Sequence, residues 1–218
     1  MNDILRKKKF KELLSTGQLY GITSKNYFSN NFEAVKNMLN GGIKIIQYRE
    51  KSLPFQDMIK EVNKILTIIK DQNAYLIIND YVELCKETDA NGVHLGQDDM
   101  KIDNARKVLG ENKIIGLSTH NIKQGEESLS TSADYIGLGP VFKSDTKPDK
   151  TPIGLEYLKY ASKNFMIPKV AIGGINQKNL NLVLKSGINS VCIIEGLFKG
   201  DNLKQTVSEI QKQLAKNR

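Results

Sequence analysis

Residues 41–51 read GGIKIIQYREK. Ile43, Ile45 and Ile46 mark a buried strand, and then the chain turns abruptly polar at Gln47, Arg49, Glu50 and Lys51. Strands that are apolar at successive positions suit a parallel sheet covered on both faces. A strand that ends in an amide and two cations either meets solvent in a turn or delivers those groups to a site. The rest of the chain separates these alternatives.

Seven further short runs share the pattern: LYGIT (19–23), AYLIIN (74–79), GVHL (92–95), KIIGLS (113–118), DYIGLG (134–139), KVAIG (169–173) and SVCII (190–194). Helical stripes lie between them, such as Phe55, Met58, Ile59, Val62, Leu66 and Ile69, or Ile102, Ala105, Val108 and Leu109. The final stripe, Leu203, Val207, Ile210 and Leu214, has Asp201 or Asn202 as its N-cap. The connections 80–91 and 119–133 are less regular, with room for a short helix each. Eight strands alternating with helices predict an α/β fold, a (β/α)8 barrel of one domain over 1–218. An extra helix over 3–15 precedes the first strand. A doubly wound sheet fits less well, because the strands number eight and no G-x-G-x-x-G follows the first.

Apolar content of 39% and charged content of 26% describe a soluble globular chain. No apolar run nears the roughly 20 residues that cross a bilayer. The N-terminus has charges without a signal-like apolar region, which predicts a cytoplasmic protein without a membrane partner. Cys85 and Cys192 have no metal-ligand spacing and are expected to be reduced thiols near the core. Lys and Arg outnumber Asp and Glu, 32 to 24. Only RKKK at 6–9 forms a run, and no aromatic residues interleave with the cations. The run predicts a solvated helix face, and the charge suits small anionic substrates better than nucleic acid.

In a (β/α)8 barrel the site lies at the C-terminal strand ends. Those ends carry Gln47 to Lys51, Asn79 and Asp80, His94 with Gln97, Asp98 and Asp99, and Ser118 with His120. The later ends carry Ser144, Thr146 and Lys147, then Gly173 and Gly174, then Ile194 and Glu195. Asp80 and Asp99 are hard oxygen ligands without His or Cys, a set that suits Mg²⁺ shared with substrate phosphates. Arg49, Lys51 and Lys147 can surround phosphate oxygens. The long loop 139–153 can close over the mouth. His94, inside an apolar strand, reads as a hydrogen-bonded interior residue. Ser118 and His120 at i, i+2 are not spaced as a nucleophile and its base.

QYREK (47–51), NDY (79–81), GVHLGQDD (92–99), GLSTH (116–120), GPVFKSDTK (139–147) and AIGGI (171–175) together resemble the thiamine phosphate synthase family, over about residues 18–200. The resemblance implies a transferase of thiamine biosynthesis that joins hydroxymethylpyrimidine diphosphate to hydroxyethylthiazole phosphate, with Mg²⁺ and release of pyrophosphate. It implies catalytic roles for Arg49, Lys51, Ser118 and Lys147, with Asp80 and Asp99 on the metal. It places Gln47, Tyr48, Glu50 and Asn79 on the pyrimidine diphosphate. It places Ser144, Asp145, Thr146, Gly174, Ile194 and Glu195 around the thiazole phosphate. It also implies a homodimer.

Three places depart from the family's pattern. Thr23 and Ser24 end the first strand where an acidic residue is common, and Ser144 replaces the usual Thr. Glu195 stands where a small hydroxyl residue is usual. A carboxylate there repels a bound phosphate unless the side chain turns to solvent and backbone amides hold the phosphate. Related barrels that tautomerise the thiazole phosphate are the alternative, with His120 as a base. A non-enzymatic phosphate- or nucleic-acid-binding module is another. Neither uses Arg49, Lys51, Asp80, Asp99 and Lys147 together.

Overall fold

Eight parallel strands close in chain order, each paired with the next and the last with the first. They are β1 (Leu19–Ile22), β2 (Ile45–Tyr48), β3 (Tyr75–Asn79), β4 (Gly92–Leu95), β5 (Ile114–Thr119), β6 (Tyr135–Leu138), β7 (Lys169–Ile172) and β8 (Ser190–Cys192). A helix α1 (Asp3–Ser15) precedes them. The connecting helices are α2 (Asn31–Asn40), α3 (Phe55–Asp71), α4 (Val82–Thr88), α5 (Ile102–Leu109), α6 (Ile122–Ser128), α7 (Gly154–Asn164) and α8 (Leu180–Lys185). A short α9 (Glu195–Phe198) and the long α10 (Leu203–Lys216) follow β8. This computed structural model describes residues 3–25, 27–143, 151–198 and 202–216. The expected barrel is therefore the observed fold. The two irregular connections do hold short helices, α4 and α6.

Strand alternation divides the core in two. Ile46, Tyr48, Ile78, Val93, Leu117 and Leu138 point outward and pack under the helices. On α3, Met58, Val62, Ile65, Leu66 and Ile69 recur at helical spacing and bury one face against them. Tyr20, Ile22, Ile45, Tyr75, Ile77, Ile114, Tyr135, Val170 and Cys192 point inward. Cys85 and Cys192 are both free and buried, as the sequence suggests, and burial pushes the Cys85 thiol up to about 12. Asn30 and Asn121 cap α2 and α6, each accepting from a backbone N–H at 2.9 Å. Asn202 accepts from the backbone N–H of Gln205 at 3.1 Å, so it caps α10.

Helix α1 closes the N-terminal end of the barrel. Phe10 inserts between the rings of Tyr75 and Tyr135, 5.3 Å from each, edge to face. The expected solvated run at 6–9 is only half solvated. Lys8 and Lys9 are exposed, whereas Arg6 lies over the Tyr75 ring and donates to the Ala74 carbonyl at 2.6 Å. Lys7 and Lys11 reach the buried carboxylate of Asp134 at 3.0 and 2.8 Å, and Arg106 reaches its other oxygen at 2.7 Å. The sequence pattern could not show this, because the anion lies more than a hundred residues away on the rim of β6.

Asp134→Ala leaves the buried Arg106 and the half-buried Lys7 without their counter-charge, at a cost of about 3–5 kcal/mol. Urea unfolding of the variant should show a lower midpoint with little change in slope. An unchanged midpoint would show that the Asp134 ion pairs add nothing to the hold on α1.

Candidate active site

The loop after β2 is built around one carboxylate. Glu50 is 3% exposed. Its Oε1 accepts from the backbone N–H of Lys51 and Ser52 at 2.8 and 2.7 Å, and from the Ser52 hydroxyl at 2.8 Å. Its Oε2 meets Lys25 at 2.7 Å and Asn31 at 3.0 Å. Thr23, at the end of β1, accepts from the Arg49 N–H at 2.9 Å. The backbone between Arg49 and Leu53 is thus clamped from below, and Arg49 and Lys51 are carried at the rim.

The side chains of two expected contact residues, Tyr48 and Glu50, have partners within the protein. Tyr48 is outward on the pleat and donates to Glu61 at 2.7 Å, beneath α3. Glu50 faces inward to its own loop. Both side chains brace the loop that carries Arg49 and Lys51.

Burial opposes the charge of Glu50, but Lys25, the N–H and hydroxyl of Ser52, and Asn31 outweigh it and hold its pKa at about 2. A depressed carboxylate stabilises the fold fully above its unfolded value of 4.5, and that stability is lost as pH falls toward 2. Glu50→Gln should therefore cost about 2–3 kcal/mol at pH 7 and much less near pH 2. Chemical unfolding at both pH values measures this, and an equal loss at both would assign the effect to packing.

Asp80 and Asp99 come together from the ends of β3 and β4. Asp80 has a left-handed backbone (φ 66°), a conformation Asp tolerates better than most side chains, and its N–H donates to the His94 carbonyl at 3.0 Å. Asp99 accepts from the Gly96 N–H at 2.7 Å, closing a turn around the carboxylate. Burial raises the pKa of Asp80, and the charge and hydrogen bond of Asp99 raise it further, against Lys51 and Asn79. Lys51 Nζ lies 3.6 Å from Asp80. Two carboxylates that repel in a half-buried site fit a divalent cation. Among the described residues no cluster of three or more His, Cys, Asp or Glu could hold a metal by itself. That sparse set fits Mg²⁺, which uses one or two carboxylates and completes its shell with water and phosphate oxygens.

Below the rim the interior is polar on one level. Gln47, on β2, is 4% exposed and inward. His94 and Ser118 follow on β4 and β5, with His94 Nε2 2.9 Å from Ser118 Oγ. His94 is thus a hydrogen-bonded interior residue, as its setting suggests. His120 Nδ1 donates to the Gly139 carbonyl at 2.5 Å, and its N–H donates to Gln124. Gly173 and Gly174 both have positive φ. A Cβ on Gly174 would stand 2.4 Å from the Lys143 carbonyl, so only glycine lets the loops after β6 and β7 approach this closely. Ile194 and the backbone of Glu195 lie at the start of α9. Ser144, Asp145, Thr146 and Lys147 lie outside the described residues, as does the Glu195 side chain.

Cations, paired carboxylates and inward polar groups converge on the C-terminal end of a closed (β/α)8 barrel, which is where enzymes of this fold carry their chemistry. A family model of thiamine monophosphate synthase matches residues 19–197. The chain is 44% identical over 207 residues to a thiamine-phosphate synthase of Caldicellulosiruptor bescii, covering 93% of this chain and 94% of that one. It is 43% identical over 209 residues to a thiamine-phosphate synthase of Dictyoglomus turgidum, covering 94% of each. A solved thiamine phosphate pyrophosphorylase of Pyrococcus furiosus superposes with a TM-score of 0.84 at 31% identity, covering 94% of this chain and 98% of that one. The chain belongs to the thiamine monophosphate synthase family, and its activity is that of a transferase in thiamine biosynthesis.

Proposed function

We propose that this barrel joins hydroxymethylpyrimidine diphosphate to hydroxyethylthiazole phosphate and releases pyrophosphate. The observation that carries the reading is the meeting of Asp80, Asp99, Lys51 and Asn79 at one strand-end site. The carbon–oxygen bond of the pyrimidine diphosphate breaks first, and its electron pair leaves with pyrophosphate. The thiazole nitrogen then gives its lone pair to the pyrimidinylmethyl carbon. Arg49, Lys51, Asn79 and Lys147 donate to the departing oxygens as their charge develops. Mg²⁺ bound by Asp80 and Asp99 would supply Lewis-acid stabilisation of the same charge. Gln47 hydrogen-bonds the aminopyrimidine, and Ser118 stands near the reacting centre. Ser144, Asp145, Thr146 and the backbone at Gly174 and Ile194–Glu195 hold the thiazole phosphate. No covalent nucleophile is required, because placing the two substrates together supplies the rest.

We read the chain as one barrel domain that works in the cytoplasm as a homodimer, with small-molecule substrates and neither nucleic acid nor membrane as a partner. Among the described residues no helix is long and apolar enough to cross a membrane. ³¹P NMR of the full chain with both substrates and Mg²⁺ tests the reaction. Thiamine phosphate and pyrophosphate should appear in equal amounts, and a chelator should stop both. A rearranged thiazole phosphate without pyrophosphate would favour the tautomerase instead.

A further inference from the structure

Five inward side chains from five strands touch end to end across the barrel. Gln47 Nε2 donates to Tyr20 Oη at 3.1 Å, and Tyr20 Oη lies 2.9 Å from Tyr135 Oη. Tyr135 Oη lies 2.9 Å from His94 Nδ1, and His94 Nε2 lies 2.9 Å from Ser118 Oγ. Gly116 and Gly137 clear the space this chain crosses. A Cβ on Gly116 would stand 2.3 Å from Tyr135 Cζ and 2.4 Å from His94 Nδ1, and one on Gly137 would stand 3.3 Å from His94 Cε1. Tyr20 and Tyr135 are 2% and 1% exposed, so an unused phenol proton there finds no water to take it.

Counting protons gives this chain a direction. An amide nitrogen can only donate, and each phenol has one proton. With Gln47 donating, Tyr20 must pass its proton to Tyr135, and Tyr135 must pass its own to His94 Nδ1. The neutral imidazole then carries its proton on Nε2 and donates to Ser118. Ser118 keeps its hydroxyl proton for a second partner. With the amide turned over, Tyr20 donates to the Gln47 carbonyl, every link reverses, and the Ser118 proton is spent on His94.

We infer that Tyr20, Tyr135 and His94 are positioning residues that couple the amide orientation of Gln47 to the hydroxyl orientation of Ser118. The coupling itself stands on the hydrogen bonds, while its catalytic use rests on the reaction proposed above. A ligand amine needs the Gln47 carbonyl as acceptor and so holds the amide with its nitrogen toward Tyr20. Only in that polarity does Ser118 offer a proton to the leaving oxygens. A pyrimidine with a carbonyl in place of the amine reverses the chain and loses that donor. The relay thereby converts recognition at one end of the site into catalytic competence at the other.

The test is the tautomer of His94, read from its ring ¹⁵N shifts in the full chain without substrate. The unsubstituted protein should be Nε2-protonated, and an Nδ1-protonated ring would overturn the inference. Gln47→Glu, measured at pH 9 to keep the new carboxylate ionised, puts a pure acceptor at the far end and should move the proton to Nδ1. The same substitution in a Tyr20→Phe background should move nothing, because the first link is cut. A tautomer indifferent to Gln47→Glu in the folded variant would also overturn the relay. In kinetics, Tyr135→Phe should lower kcat about tenfold, one hydrogen bond's worth. In a Ser118→Ala background it should cost less than twofold, and equal losses in both backgrounds would show a merely structural role. If the unsubstituted protein made no thiamine phosphate, the proposed reaction would fall, and the tautomer would still decide the relay.

Discussion

Asp99→Asn is expected to lower the rate of thiamine phosphate formation by about 10²–10³-fold, the size seen when one group facing developing charge is removed. The substitution keeps the shape and one acceptor oxygen. The bond from the Gly96 N–H, 2.7 Å in the native turn, can therefore persist, and the fold should melt within a degree or two of the parent. What is lost is half of the carboxylate pair, in which burial first and then the charge of Asp99 raise the pKa of Asp80. The Mg²⁺ concentration needed for half-maximal rate should rise together with the fall in kcat. A variant with full activity and an unchanged Mg²⁺ requirement would remove Asp99 from the metal site.

Arg49→Ala should cost about 10²-fold in kcat/KM, by loss of a planar fork of donors beside the leaving oxygens. Arg49→Lys should recover only part of that, because an ammonium keeps the charge and loses the two-point geometry. The contrast separates charge from shape. Its backbone is fixed by Thr23 at 2.9 Å, so neither variant should disturb the loop. Steady-state kinetics with the pyrimidine diphosphate varied would show this. Equal rates for the parent and the Lys variant would mean that the two-point geometry at this position contributes nothing to the reaction.

The fold was legible because eight short apolar runs alternating with helical stripes fit a (β/α)8 barrel better than a doubly wound sheet. The rim was legible because polar residues follow those runs at the same end. Contiguity in sequence does not tell which side chains from Gln47 to Lys51 share a direction in space. The pleat turns Tyr48 outward next to an inward Gln47, and a strict two-residue alternation along β2 would have shown it. Glu50 is different. Its carboxylate turns back onto the N–H groups of its own loop, a local motif with no periodic signature. The interior relay was missed for a third reason. Tyr20 reads as one more apolar strand residue, and its partner Tyr135 is 115 positions away. Only closure of the barrel brings the two phenols together. Gly116 and Gly137 carried a faint signal, since glycine inside a strand often marks close approach by another group.

On the proposed reaction, the strand after Gly42 ends in cations because a diphosphate leaves there. Isothermal titration of inorganic pyrophosphate into the full chain tests it most directly, with Mg²⁺ and with chelator. One site should bind in the presence of Mg²⁺, weaken about 100-fold in Arg49→Ala, and vanish with chelator or in Asp99→Asn. Pyrophosphate binding that ignores Mg²⁺ and both substitutions would contradict the account.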